Sequence, residues 1–300
     1  MFDLIIGANG QDGKLLSEIY ARNDKKVILI GRSLPEKINT NQHFITLDLR
    51  EYRDFKTVIK NYKIRTVIYL AACHTTRDKF NELNPENVRL INYEAPKWLL
   101  NNLVQNNNIT SFVYASSKLV FEPDDGVYSW RSKRRYDNEY SKSKNEFESY
   151  ANTISSHLNW LLIVWLSNHE SKYRQNDYLI PRVINKIKAQ LNMEKTEVFD
   201  KYNIINDWGD AEEFMEILYE FVQTNKKEGL LKQFLSNNDL CSIDEIIDEI
   251  LIHKENYGNF LKSQPNIITS NAYISEYEFL RRPKTTTRSI IWRLLSERQN

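Results

Sequence analysis

No charge of either sign prevails in this sequence: 41 Lys and Arg offset 40 Asp and Glu, leaving a formal net charge of +1. A protein that holds nucleic acid by bulk positive charge is therefore excluded, and so is one with a long acidic tail. Cysteine is nearly absent. Cys73 and Cys241 cannot build a disulfide framework, and with no secretory signal they point to a reducing, cytoplasmic setting. The opening "MFDLIIGANG" carries an acid at Asp3, and its apolar run is cut short by glycine. No stretch approaches the roughly 18 apolar residues of a membrane span, so no membrane partner is expected. Five histidines lie scattered with no His-x-x-x-His or Cys-x-x-Cys spacing, which argues against a metal site. His169, next to Glu170, reads instead as a residue that orders a loop. Glycine is scarce as well, with only eight in 300 residues, yet three of them, Gly7, Gly10 and Gly13, fall within "GANGQDG".

What is present is a rhythm. Short apolar runs at 2–7, 26–31, 43–47, 66–72, 111–116 and 158–166 alternate with helical patterns at 13–22, 51–61, 86–106 and 138–155. Continuous apolar strands separated by helices indicate a parallel sheet buried on both faces, an α/β doubly wound Rossmann fold. Pro96 lies inside the third helical segment and predicts a kink there. Beyond residue 166 the spacing predicts a helix over 179–190, a strand near 203–205, a helix over 208–224 and a strand at 229–236. It then predicts a helix over 242–252 opened by a Ser242/Glu245 capping box, and a last helix over 285–297. The expected division is a Rossmann domain of 1–166 plus about 203–236. A smaller substrate-binding lobe takes 167–202 plus 237–300.

The glycines sit between the first strand and a helix starting near Gln11. There, one glycine permits the tight turn, the next lets backbone approach a diphosphate, and the third lets the helix pack on the strand. The helix N-terminus then meets the anion with free N–H groups and its positive dipole end. This is the signature of a dinucleotide site. NAD-specific sites place a carboxylate at the end of the second strand. Here "VILIGRS" puts Arg32 in that place, which favours the 2′-phosphate of NADP(H) over NAD(H). Asp48, after the third strand, is expected either at the adenine or as a helix cap.

Tyr140 and Lys144, in "NEYSKSKNEF", share one helix face four residues apart. A nearby ammonium, aided by a positively charged nicotinamide, stabilises a phenolate and lowers its pKa, so that Tyr140 can exchange a proton with a carbinol oxygen while hydride moves. Ser117, in "VYASSKLVF", closes the fifth strand at the crevice where ligands of such sheets bind, and is the third candidate.

Together these residues resemble the extended short-chain dehydrogenase/reductases of the NAD-dependent epimerase/dehydratase family, which modify nucleotide-activated sugars. Within it, the chain is most similar to the GDP-mannose 4,6-dehydratase branch. "GANGQDGKLLSE" looks like that branch's cofactor loop, and "LSNHESKYRQNDYLIPRVINKI" like its entry to the substrate lobe. "NDWGDAEEFMEIL" and "RPKTTTRSIIWRLL" are similar to its Asp-Trp-Gly stretch and its closing helix. The resemblance implies that Gly7, Asn9, Gly10, Gln11, Asp12, Gly13, Arg32, Asp48, Leu49, Leu70, Ala71 and Ala72 line the cofactor, joined by Tyr140 and Lys144. It implies catalytic Ser117, Tyr140 and Lys144, and a substrate site of Ser117, Asn168 and Arg182. It also implies a nucleotide-diphosphate sugar, GDP-linked, and a homodimer paired through the helices at 86–106 and 138–155.

Two departures shape the functional reading. Leu119 stands where the dehydratases carry a glutamate, with Lys118 before it, and leucine can neither remove a proton nor supply one. Asn206 replaces an arginine of the signature. The basic run "WRSKRRYD" at 130–137 reads as a solvated loop, or one reaching the sugar diphosphate, rather than an RNA contact. The leading expectation is therefore NADP(H)-dependent hydride transfer at sugar C4, as a 4-keto reductase, C4 dehydrogenase or epimerase. A 4,6-dehydratase with an altered base, involving Lys118, comes second. A non-catalytic dinucleotide-binding protein comes third.

Overall fold

Seven of the apolar runs pair side by side, all parallel, in the order β3-β2-β1-β4-β5-β7-β10. They are β1 (Phe2–Ile6), β2 (Val27–Gly31), β3 (Gln42–Thr46), β4 (Ile64–Tyr69), β5 (Ser111–Ser117), β7 (Trp160–Leu166) and β10 (Gly229–Leu235). Chain direction across the sheet reverses between β1 and β4, which opens a crevice at the carboxyl ends of the strands. The structure is a computed structural model. It describes residues 1–74, 83–105, 111–124, 128–192, 202, 204–252, 273–274 and 280–297.

Residues alternate between the two faces of each strand, so each face acquires its own core. Leu4, Ile6, Tyr69, Tyr114 and Phe147 fill one, beneath α2 (Phe55–Asn61), α4 (Ala95–Gln105) and α5 (Glu139–Ile154). Ile5, Leu16, Val113, Leu162 and Phe214 fill the other, beneath α1 (Gln11–Arg22) and α7 (Ala211–Thr224). A third core gathers Ile184, Trp208, Ile246 and Leu295 among α6 (Leu179–Asn192), α8 (Ile243–Ile252) and α9 (Thr287–Glu297). Beside it lies a small sheet. β8 (Asn168–Glu170) pairs parallel with β9 (Ile205–Asp210), and β9 pairs antiparallel with β11 (Leu240–Ser242). The described residues also include a two-residue β6 (Tyr128–Ser129) paired with β12 (Tyr273–Ile274), and α3 (Pro85–Arg89).

The expected kink at Pro96 is found one turn earlier, as a π-helical turn over Leu90–Glu94 between α3 and α4. Proline lacks the N–H that would bond the carbonyl four residues back. That carbonyl, on Asn92, instead accepts the Tyr114 hydroxyl at 2.6 Å, and the Ile91 carbonyl accepts Tyr69 at 2.6 Å. The loosened turn is thus tied to the sheet by two buried tyrosines. A second correction concerns "INDWGD": it is β9, and α7 starts at Ala211 rather than 208. Asp210 ends the strand and caps the helix by accepting from the Glu212 N–H at 3.0 Å.

Candidate active site

The glycine loop joins β1 to α1. Gly7 has φ +98°, and a Cβ on it would lie 2.7 Å from the Ala71 nitrogen. A Cβ on Gly13 would lie 2.2 Å from the Gly7 carbonyl oxygen. Both positions therefore exclude side chains, and backbone surrounds a bare cradle. Gly10 is the N-cap of α1 and gives it no side-chain cap, so the helix presents backbone N–H groups there. Leu70, Ala71 and Ala72 follow β4 and border the loop, with the Leu70 N–H bonded to the Ile6 carbonyl at 2.9 Å. A dinucleotide diphosphate fits this arrangement.

Asn9 reaches across to the end of β2. Its amide donates to the Ser33 carbonyl at 2.8 Å and accepts the Ser33 N–H at 3.2 Å. That clamp holds the segment carrying Arg32, which is exposed. Asp48 takes the capping role: it accepts from the Arg50 N–H at 2.9 Å and pairs with the Arg50 guanidinium at 2.5 Å. These hydrogen bonds hold its carboxyl down at about 2. Leu49 packs in the core below.

Gln11 and Asp12 turn toward β8. The Asp12 carboxylate meets His169 Nε2 at 2.9 Å, while His169 Nδ1 donates to the Ser167 carbonyl at 2.7 Å. The Gln11 amide donates to the His169 carbonyl at 3.3 Å and accepts the Ser171 hydroxyl at 3.0 Å. His169 thus ties β8 to α1.

Ser117, Tyr140 and Lys144 do converge. Asn138 caps α5 and sets Tyr140 in its first turn, beside Ser117 at the end of β5. The Ser117 oxygen also accepts the Leu119 N–H at 3.2 Å. Lys144, fully buried, donates to the Ala115 carbonyl at 2.7 Å and lies 5.4 Å from the Tyr140 ring centre. Without a nicotinamide, burial pushes the phenol up, with Ser117 opposing it, and burial pushes Lys144 down to about 7 against the pull of Glu148.

Three neighbours escaped the sequence reading. His74 meets the Tyr140 ring edge-on, with centres 4.7 Å apart, and burial holds its imidazole neutral with a pKa of about 3. Asn92 grips the same segment by accepting the Cys73 N–H at 2.9 Å. Glu148 lies one turn beyond Lys144 and receives Ser116 at 2.6 Å, Trp165 at 2.9 Å and Arg134 at 2.8 Å. Only Glu148 left a legible trace, because it shares the Lys144 face at spacing i+4. From the basic run, Arg134 pairs with buried Glu148, while Lys133 stays exposed and pairs with Glu122 at the surface.

Lys118 is buried and donates to Asn206 Oδ1 on β9 at 2.7 Å. Burial brings it down to about 8, and burial brings the adjacent Asp207 up to about 6. Asn168 opens β8 opposite Trp208, and Arg182 is exposed on α6. Among the described residues, no cluster of His, Cys, Asp and Glu is suited to a metal ion, and no helix is long and apolar enough to cross a membrane.

A family model described as the NAD dependent epimerase/dehydratase family matches residues 4–231. The chain belongs to that family. Among curated proteins, no sequence matches it significantly. Solved structures of epimerase/dehydratase type share its fold. MoeE5, in complex with UDP-glucuronic acid and NAD, superposes with a TM-score of 0.76 at 18% identity, covering 100% of both chains. The UDP-glucose 4-epimerase of Thermotoga maritima gives 0.77 at 13%, covering 100% of this chain and 99% of the other. The dTDP-glucose 4,6-dehydratase of Bacillus anthracis, with NAD, gives 0.76 at 14%, covering 100% and 96%. Epimerase/dehydratase membership accounts for the Rossmann sheet, and the structural neighbour MoeE5 is in complex with NAD.

Proposed function

We propose that the protein binds NADP(H) and transfers hydride at C4 of a nucleotide-diphosphate sugar, as a 4-keto reductase, C4 dehydrogenase or epimerase. The feature that carries this reading is the placement of Tyr140 against Ser117 at the end of β5, with Lys144 one turn behind and no carboxylate at 118 or 119. The nicotinamide, when bound, supplies reversible hydride acceptance. The chain's own groups move the proton. Tyr140, held protonated by burial, gives its proton to the oxygen of a ketone and recovers it from a carbinol in reverse. Ser117 fixes that oxygen against the phenol.

Arg32, exposed at the end of β2 with no acid in its place, supports NADP(H). The glycine loop, Asn9, and Leu70 to Ala72 would hold the dinucleotide. The substrate role of Asn168 and Arg182, a GDP-linked nucleotide and a homodimer joined through α4 and α5 rest on the family resemblance. The structural neighbours carry UDP sugars and NAD, and they leave the base and the cofactor phosphate to experiment.

A 4,6-dehydratase is the second reading because Lys118, next to Ser117 in sequence, is buried beside Asp207, and burial lowers the one and raises the other toward the range useful to acid–base chemistry. Mass spectrometry decides between them. Purified protein is incubated with GDP-, UDP- and dTDP-sugars and their 4-keto derivatives, with NADP⁺ or NADPH. Gain or loss of two hydrogens supports hydride transfer. Unchanged mass with altered stereochemistry by NMR identifies an epimerase, and loss of water supports the dehydratase. No change with any substrate refutes both.

A further inference from the structure

The segment Ser167–Ser171 carries a charge that the proposed chemistry does not use. Asp12 stands in the first turn of α1, where a carboxylate competes with any anion for the helix N-terminus. Its carboxylate is turned sideways and meets His169 Nε2 at 2.9 and 3.1 Å. The other ring nitrogen, Nδ1, faces the Ser167 carbonyl at 2.7 Å, and a carbonyl can only accept. Both ring nitrogens therefore address acceptors, and a ring that satisfies both carries two protons and a positive charge. The side chains are 10% and 18% exposed, so water contributes little to neutralising either. A second bridge, from Gln11 to the His169 carbonyl and the Ser171 hydroxyl, runs in parallel. The remaining groups facing the imidazole are Arg174, which follows β8, His74 behind β4, and the Phe214 ring of α7.

We propose that Asp12 and His169 form the electrostatic counterweight of the glycine loop: His169, carried on β8, neutralises the carboxylate of Asp12 so that the loop accepts a dinucleotide diphosphate when β8 is docked against α1. Cofactor affinity is thereby coupled to the segment that opens the substrate lobe. His169 acts through Asp12 and is a positioning residue. The inference rests on the dinucleotide reading of the loop, and it assigns the loop a partner 157 residues away in sequence.

The test is calorimetric binding of NAD⁺ and NADP⁺ to the full-length chain and its variants, each checked for folding by circular dichroism. His169→Gln leaves a buried carboxylate uncompensated, and its affinity falls by about tenfold, within the usual range of coupling between two sites. Asp12→Asn/His169→Gln removes the charge as well and recovers to within about threefold of wild type. A latch acting only by packing would instead leave the double variant weaker than the single one, and that result overturns the proposal. If His169→Gln does not fold, wild type and Asp12→Asn still decide. NAD⁺ affinity of wild type falls as pH rises through the raised pKa of His169, where Asp12 loses its counter-charge. Asp12→Asn abolishes that fall, and Lys144, common to both proteins, cancels from the comparison. Parallel pH profiles overturn the inference alone. Wild type that binds neither dinucleotide overturns the underlying reading together with it.

Discussion

Replacing Gly13 by alanine tests the cradle most severely. The new Cβ would stand 2.2 Å from the Gly7 carbonyl oxygen and 2.6 Å from the Ala8 Cα, both backbone atoms of the β1–α1 turn. Neither can swing aside as a side chain would, so α1 must back away from β1 by roughly 1 Å to restore van der Waals contact. Overpacking of this kind costs about 1–3 kcal/mol. Alanine returns up to about 1 kcal/mol in helix propensity, which leaves a net loss of up to about 3 kcal/mol. For a chain of this size that lowers Tm by up to roughly 12 °C. Dinucleotide affinity suffers more, because the same displacement moves every N–H aimed at the diphosphate; a loss of at least about a hundredfold is expected from misplacement on this scale. Gly229→Ala is the control. Its φ is +78° but nothing lies within 4 Å, so it costs stability through backbone strain alone and leaves binding intact. Calorimetric titration and thermal melting read both effects. A Gly13→Ala protein that binds NADP⁺ within twofold of wild type would refute the cradle.

Other outcomes follow from the same geometry. Arg32→Ala should weaken NADP⁺ by about tenfold while sparing NAD⁺, as expected for one charge-assisted contact to a phosphate; an unchanged ratio of the two affinities would remove Arg32 from the site. Lys144→Met should alter the pH dependence of stability. Buried Lys144 releases its proton near pH 7 in the folded chain but near 10.5 when unfolded, so between those values the unfolded state binds more protons and stability rises with pH. The variant loses that rise, and thermal melts across the window show whether its curve is flatter than that of wild type. Glu148→Gln leaves the half-buried Arg134 without its carboxylate and Lys144 without a counter-charge. A destabilisation of about 2–4 kcal/mol is expected in urea melts, and a loss under about 0.5 kcal/mol would show the pair to be idle.

How much of this was legible in sequence depends on how each element earns its burial. β1, β2, β4, β5 and β7 are covered on both faces, so each is an unbroken apolar run that polarity alone delimits. β9 gave no such signal. "INDWGD" pairs in a short sheet whose core side is carried mainly by Trp208, while Asp207 and Asp210 are buried for polar reasons. The π-turn before Pro96 was visible as a break but not in place, because its position is fixed by Tyr69 and Tyr114 reaching in from distant strands. At the site, the convergence of Ser117 with Tyr140 followed from the order of strand and helix. The protonation of that cluster did not. The Ala115 carbonyl that binds Lys144 and the depth of burial of Tyr140, which pushes the phenol up, are tertiary facts. His169 was read as a loop-ordering residue, but the partner through which it acts, Asp12, is found only in three dimensions.

The central assertion is that Tyr140 transfers the proton while Ser117 and Lys144 hold its surroundings. It is tested most directly by Tyr140→Phe, assayed for NADP⁺ affinity by calorimetry and for turnover by mass spectrometry on whichever nucleotide sugar wild type converts. The predicted result is cofactor affinity within about threefold of wild type and turnover reduced by about 10²–10⁴, the usual share of a positioned acid–base group. Turnover within about threefold of wild type, with cofactor still bound, would contradict it.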